Sequence, residues 1–452
     1  MILHPSIFWI FGLGLISGAV YWLNFDLEKF LPKFLNLSGI FLYLYIALFL
    51  NVLYFVGVRL VFKHLVRFGR SKGLVLMIIG FGIAFRALLV PSEPDLLSTD
   101  MYRYVWDGRV QQQGINPYLH APDAEQLKRL RDDTIYPKLN RTGSPTVYPA
   151  GAQVFFRLFH LLVGDSISGF KSLLVFLELL TMSLIVLTLR AYGFDQARVF
   201  IYAWNPLVIF ETGFGGHVDG LTVFLTVLAF YLNAKRKKIP AVAALACSTA
   251  TKLFPALLLP ALLNRGERIR GTIAFLVFFL LLYLPFLNVA EKVIGFLPTY
   301  FTSPYESFNL GLKYLIMDFV PALNYAVISG IFVLMLMAAA MVVFFKEKRN
   351  EQVMRFAYIL IGLLIVLMPT ALHPWYIIIL VPFLCFYPSV AWLIFTCMIT
   401  VSYLYYAPSM HILPVWVSLL EYLPLFAILA IESIVKHRAP RQRAGEVFVK
   451  AG

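Results

Sequence analysis

The densest set of groups able to do chemistry is STDMYRYVWDGRVQQQGINPY (98–118), where Asp100, Arg103, Asp107 and Arg109 stand beside Tyr102, Tyr104, Trp106 and Tyr118. Read as a helix over 100–112, the segment places Asp100, Arg103 and Asp107 near one face, because residues three or four apart are neighbours. Such a set suits a sugar phosphate. Aromatic rings stack on sugars, Arg pairs with phosphate, and a carboxylate takes a proton from an attacking hydroxyl. The same residues also have plainer uses. Ser98, Thr99 and Asp100 suit the start of a helix, Asp107 and Arg109 can pair with each other or with Arg103 to brace the segment, and Asp95 ends a PSEPD turn.

Further candidates lie along the chain. Tyr148 and Pro149 either close the polar segment where it re-enters an apolar phase or touch a lipid carrier, since Tyr suits an interface and Pro restricts the residue before it. His217 and Asp219 follow the glycines of FGGHVDG, between two apolar runs, where ionisable groups are functional candidates. They either bind sugar or phosphate, or form a structural pair. Lys252 interrupts an apolar stretch, and an unpaired ammonium is costly there, so it either snorkels to an interface or binds an anion such as a lipid phosphate. His373, followed by Pro374 and Trp375, ends another apolar run; Trp suits a membrane interface.

The elements that position these residues follow from composition. Of 452 residues, 60% are hydrophobic and 14% charged, a balance no water-soluble surface of this size could carry. The run from Phe275 to Leu284 is apolar or aromatic throughout, leaving no polar face. Backbone groups in hydrocarbon must be satisfied internally, which predicts helices. The fold expected is therefore all-α, a polytopic transmembrane bundle of about twelve to fourteen spans. The net charge of +14 arises from short basic runs at 63–72, 235–238, 265–270, 346–349 and 436–443, which together hold 18 Lys/Arg against 2 Glu. The positive-inside rule puts these runs, and both termini, in the cytoplasm. Their placement between apolar segments excludes a nucleic-acid partner.

With those anchors, spans fall near 5–24, 39–62, 73–91, 166–190, 199–212, 220–234, 271–289, 322–345, 353–372, 375–388, 389–406 and 411–434, with a broken hairpin over 239–264. The first 24 residues read as a retained span, not a cleaved signal peptide. Loop 92–150 is extracytoplasmic, contains short helices, and has eight acidic and seven basic residues, so it lacks the inner bias. Segment 151–163 is too short to cross and reads as interfacial or re-entrant, and 290–321 is a second sizeable outer connection. The whole of 1–452 reads as one integral membrane domain whose site lies in 92–150. Cys247, Cys385 and Cys397 lack metal-ligand spacing and read as packing residues.

The order and spacing of the 98–118 segment, TVYPAGAQ (146–153), WNPLVIFETGFGGHVDG (204–220), TKLFPALLLP (251–260) and ALHPWY (371–376) resemble the membrane-embedded type C glycosyltransferases. The likeness is to the bacterial branch similar to polyprenyl-phosphate-mannose-dependent mannosyltransferases, and it covers most of the chain between those blocks. It implies transfer of a sugar, mannose by the nearest likeness, from a polyprenyl phosphate carrier to an acceptor hydroxyl on a glycolipid or polysaccharide, at the outer face of a bacterial plasma membrane. It also implies Asp100 as catalytic base and His373 as a second catalytic group or donor-phosphate contact. Substrate contacts would come from Arg103, Asp107, Arg109, Tyr148, His217, Asp219, Lys252 and Trp375. Many relatives carry two adjacent acids where this chain has Thr99 and Asp100. No metal ligands and no organic cofactor are expected, and a divalent cation is left open. The rival reading is a transporter or flippase of lipid-linked sugars, which would show a polar route through the bundle and a midplane site; an enzyme would bring Asp100 and His373 to one lipid-accessible cavity.

Overall fold

A computed structural model describes residues 5–35, 39–68, 71–295, 308–408 and 412–438. Among them there are helices and turns and no strands. The first elements are α1 (Pro5–Leu35), α2 (Gly39–Phe68) and α3 (Lys72–Leu89). After a polar connection come α4 (Asp100–Gln112), α5 (Ala150–Val163), α6 (Ile167–Ala191), the single turns α7 (Phe200–Ala203) and α8 (Pro206–Ile209), then α9 (Asp219–Ala234) and α10 (Lys238–Thr251). Another single turn, α11 (Leu259–Leu262), precedes α12 (Arg268–Leu281).

The polytopic helical reading stands. Five described helices are individually long and apolar enough to cross a membrane, including α2, α3, α6 and the helix Tyr325–Phe345, and the number rises to seven when each of two bent pairs counts as one span. Tyr325–Phe345 leaves Leu334, Met337 and Met341 exposed, as a lipid-facing helix would. Several expected passes are broken instead. Segment 199–212 becomes two single turns and a π-turn over Phe210–Phe214, because Asn205 caps a fresh start at Pro206 and its side chain accepts from Val208 N. The π-turn and α9 then meet at 120°. Segment 375–388 likewise contains only the single turns Pro374–Ile377 and Val381–Leu384. The basic tail at 439–443 and residues 296–307 of the second outer connection lie outside the described residues.

Helix α5 has 14 residues, roughly 21 Å at about 1.5 Å per residue, against a hydrocarbon core of about 30 Å. It buries Gln153, Phe156 and Phe159 and exposes Leu158, Leu161 and Leu162, the sidedness of a helix lying along an interface. Gly151 lets it touch α10, since a Cβ there would come 2.7 Å from the Ala250 backbone.

A buried polar knot ties α3 to α6. Arg86 Nε donates to Glu178 Oε2 at 3.1 Å, and its Nη1 donates to the carbonyls of Gly82 at 2.7 Å and Ala203 at 2.8 Å. Tyr202 OH donates to Glu178 Oε1 at 2.8 Å, and neither Arg86 nor Glu178 is exposed. Lys171 of α6 donates to the carbonyls of Leu89 and Ser92, fixing the point where the chain leaves α3 for the polar connection. The three cysteines are free, with Cys385 and Cys397 buried in apolar packing.

Candidate active site

The polar connection 92–150 is held by its own charges. Lys138 donates to Glu93 at 2.8 Å and to Tyr102 OH at 3.0 Å and pairs with Asp95 at 2.8 Å, while Tyr102 OH donates to Asp95. Arg109 pairs with Asp132 at 2.6 Å and Asp165 at 3.0 Å and donates to Leu130 O. Burial alone would push the Asp132 carboxyl up, but the hydrogen bonds from Arg109 and from the Tyr136 and Ile135 backbone N–H hold it well below the usual carboxylate range. Burial also acts upward on Asp165, and Arg109 and His160 outweigh it. A carboxyl whose folded pKa is depressed stabilises the fold above its unfolded pKa and loses that contribution as pH falls. Amide exchange at Ile135 and Tyr136, corrected for intrinsic rates, should therefore accelerate as pH drops from about 5 to about 2.5, through and below the free Asp value of about 3.9. Protection unchanged over that window would show that the Arg109 brace does not hold this part of the connection.

Helix α4 forms as the spacing predicts, and Ser98 Oγ, not Thr99, accepts from the Asp100 N–H at 3.2 Å. Its faces divide the candidates. Asp100 opens into a cavity of about 1080 Å³ that also reaches Arg103, Tyr148, Lys252, His373 and Trp375. Asp107 and Arg109, expected at the substrate, do not line it. Asp107 accepts from Arg103 Nε at 2.9 Å and from Gln153 Nε2 at 2.8 Å, which ties α4 to α5, and Arg109 is spent on Asp132 and Asp165. Arg103 lines the cavity, yet its Nη1 and Nη2 donate to the carbonyls of Arg141 and Ser144, so it shapes the wall.

His217 and Asp219, read as the tip of a turn between two spans, sit instead behind the cavity wall, His217 without exposure and Asp219 at 1%. They do not pair with each other. Asp219 Oδ2 stands 3.2 Å from Lys252 Nζ, whose ammonium also faces the rings of Tyr148 and Tyr376. Lys252 is thus neither snorkelling nor unpaired: it is anchored from behind and presented to the cavity. Asn140 Nδ2 donates to Asp100 Oδ1 at 2.6 Å. His217, Trp375, His373 and Phe308 form a continuous stack with ring centres 4.0, 4.4 and 4.7 Å apart, so the two histidines share one Trp between them. The chain before His373 is pinned by Lys313, which donates to the carbonyls of Met368 and Thr370, and by Ser329, which donates to Pro369 O.

Three contributors escaped the sequence reading. Asn140 and Arg141 line the cavity from the far end of the connection, and Arg141 holds a φ of 50°. Glu211 is fully buried and accepts from Tyr403 OH at 2.8 Å; the signal for it was an acid inside an apolar run. Among the described residues, no three His, Cys, Asp or Glu side chains converge as metal ligands.

The cavity has a second limb. Beyond Lys252 its wall becomes Phe254, Leu257, Val333, Leu336 and Met337. Val333 and Met337 are 40% and 58% exposed, so this apolar part of the lining is not closed over by the rest of the described chain.

Residues 28–264 match the family described as alpha-(1->6)-mannopyranosyltransferase, N-terminal domain. The match takes in Asp100, Tyr148, Glu211, His217, Asp219 and Lys252, while His373 and Trp375 lie beyond it. Neither a search of curated proteins nor one of solved structures gave a match. Because the match spans more than half of the chain, this membrane protein belongs to the alpha-(1->6)-mannopyranosyltransferase family.

Proposed function

We propose that the chain transfers mannose from a polyprenyl phosphate carrier to a sugar hydroxyl on the extracytoplasmic face of a bacterial plasma membrane. The observation that carries this reading is one cavity with two chemistries: Asp100, Lys252 and His373 on its polar side, and an apolar side whose Val333 and Met337 are partly exposed. A sugar phosphate on a long isoprenoid matches both, whereas a water-soluble nucleotide sugar would leave the apolar limb unused. The side of the membrane rests on the basic runs between spans.

In this reading the isoprenoid lies along Phe254, Leu257, Leu336 and Met337, and the phosphate faces Lys252 and the His373 ring. The anomeric carbon then lies between the phosphate and Asp100. Asp100 takes the proton of the acceptor hydroxyl as its oxygen attacks, and the C–O bond to phosphate breaks with its electron pair leaving on phosphate. The Lys252 ammonium, half-buried at the cavity wall, stabilises that charge. Asp95 also reaches the cavity but is engaged by Lys138 and Tyr102, so Asp100 is the carboxylate we assign as base. The family's description carries an alpha-(1->6) linkage, and the acceptor group we assign is the primary hydroxyl of a mannosylated glycolipid or polysaccharide.

A transporter of lipid-linked sugars would need a polar route onward through the bundle. Behind the polar end, His217, Glu211 and Tyr403 are packed without exposure, and the open limb is apolar. Purified protein in vesicles, given radiolabelled polyprenyl phosphate mannose and a mannoside acceptor, should form labelled product, and labelled nucleotide-diphosphate mannose should not replace the donor. Label moved across the bilayer with no new glycosidic product would favour the transporter instead.

A further inference from the structure

Three buried polar atoms without hydrogen-bond partners gather behind Asp100: His217 Nδ1, His217 Nε2 and Glu211 Oε2. Buried polar atoms are nearly always paired, so a group of orphans at one place calls for a use. The geometry supplies it. His217 Nδ1 faces Asp100 Oδ2 at 3.9 Å, and Nε2 faces Glu211 Oε2 at 3.4 Å. Both separations are longer than a good hydrogen bond and within a small side-chain movement of one.

The imidazole is held for this arrangement. Trp375 stacks on its face at 4.0 Å and 16°, and the backbone N–H of His217 donates to Glu211 O at 2.9 Å. Gly215 leaves room for the ring, since a Cβ there would come 2.8 Å from His217 Cδ2. Gly216, at a φ of +65°, lets the chain turn where a Cβ would meet Met101 Cε at 2.2 Å. Glu211 is steadied from the far side by Tyr403. Neither Glu211 nor His217 is exposed; of the cavity-lining groups, His217 meets Trp375 by stacking and Asp100 as its one facing carboxylate, at 3.9 Å.

We propose that His217 and Glu211 act through Asp100 as a proton relay, a reading that rests on Asp100 being the base. Asp100 takes the proton of the acceptor hydroxyl while the new glycosidic bond forms and the bond to phosphate breaks. It passes that proton to His217 Nδ1, and His217 gives up the proton on Nε2 to Glu211 Oε2. The Asp100 carboxylate is restored while product is still in the cavity, and the stored proton returns by the same path to the departing phosphate. His217 and Glu211 are positioning and relay residues that do not touch substrate.

Glu211→Gln keeps the volume and the oxygen that accepts from Tyr403 but cannot take up a proton. With the full chain in vesicles, polyprenyl phosphate mannose as donor and a mannoside acceptor, its kcat should fall about 10- to 100-fold, a fraction of what acid–base groups contribute. KM for both substrates and the unfolding midpoint should stay as in the wild type. Adding Glu211→Gln to Asp100→Asn should lower the residual rate no further, because the relay then has nothing to pass. A wild-type kcat in Glu211→Gln, or a raised donor KM with kcat kept, overturns the relay. Should Glu211→Gln fail to fold, His217→Gln read by the same kinetic split carries the test. Wild-type transfer by Asp100→Asn would instead remove the base assignment, an outcome separate from any result at Glu211.

Discussion

Asp100→Asn should abolish most mannosyl transfer, lowering the rate at saturating donor by about 10²- to 10⁴-fold, the range that a positioned acid–base group contributes. The substitution changes little else. An amide at this position keeps an oxygen for Asn140 Nδ2, which donates to Asp100 Oδ1 at 2.6 Å, and the start of α4 keeps the Ser98 Oγ contact to its backbone N–H. The loss should therefore appear in kcat with donor binding retained. Initial rates with radiolabelled polyprenyl phosphate mannose measure it, and thermal unfolding of the same preparation checks that the fold is intact. A folded variant turning over at the wild-type rate would leave Asp100 as a helix-start residue and send the search for the base elsewhere on the cavity wall.

The second large effect concerns stability. Glu178→Leu should cost about 3–5 kcal/mol, the usual consequence of removing one partner of a buried ion pair. Arg86 would keep its bonds to the Gly82 and Ala203 carbonyls but lose the acceptor of its Nε, and the Tyr202 hydroxyl would lose its carboxylate. The damage should reach the site. Gly213 of the π-turn rests on Arg86, where a Cβ would come 3.0 Å from its Cα and carbonyl oxygen, and that turn leads directly into the segment holding His217. Denaturant unfolding in detergent tests the cost. The double variant Arg86→Leu, Glu178→Leu should recover part of it, because no charge is then left unpaired in the interior. A Glu178→Leu midpoint equal to the wild type would mean that Arg86 finds compensation elsewhere.

The sequence made the helical, membrane-embedded class plain because all-round apolarity leaves few alternatives. It also marked α4 and the interruption at Lys252, which local punctuation sets. Other features depend on partners far along the chain. Asp107 and Arg109 carry the same charges whether they bind substrate or brace a loop. Gln153 and Asp165, which settle the matter in the structure, lie well beyond the segment. Segment 199–212 is apolar enough to read as a span, yet Asn205–Pro206 restarts the helix and the glycines after Phe214 fold the tip inward. That inward fold buries His217 and brings Glu211 beside it, an arrangement composition does not encode. The meeting of Asp100 with His373 follows in sequence only from a resemblance; in the structure both line one cavity.

If the donor is the polyprenyl phosphate sugar proposed above, the apolar part of the cavity between Leu257 and Met337 bears on how that donor reaches the site. A ligand that enters through the side of the bundle arrives by diffusion in two dimensions, so the concentration that governs occupancy is a mole fraction within the bilayer. Added detergent or lipid dilutes such a donor without changing its amount per millilitre. Half-saturation for such a donor would be a surface property, while that for a water-soluble acceptor would remain an ordinary molarity.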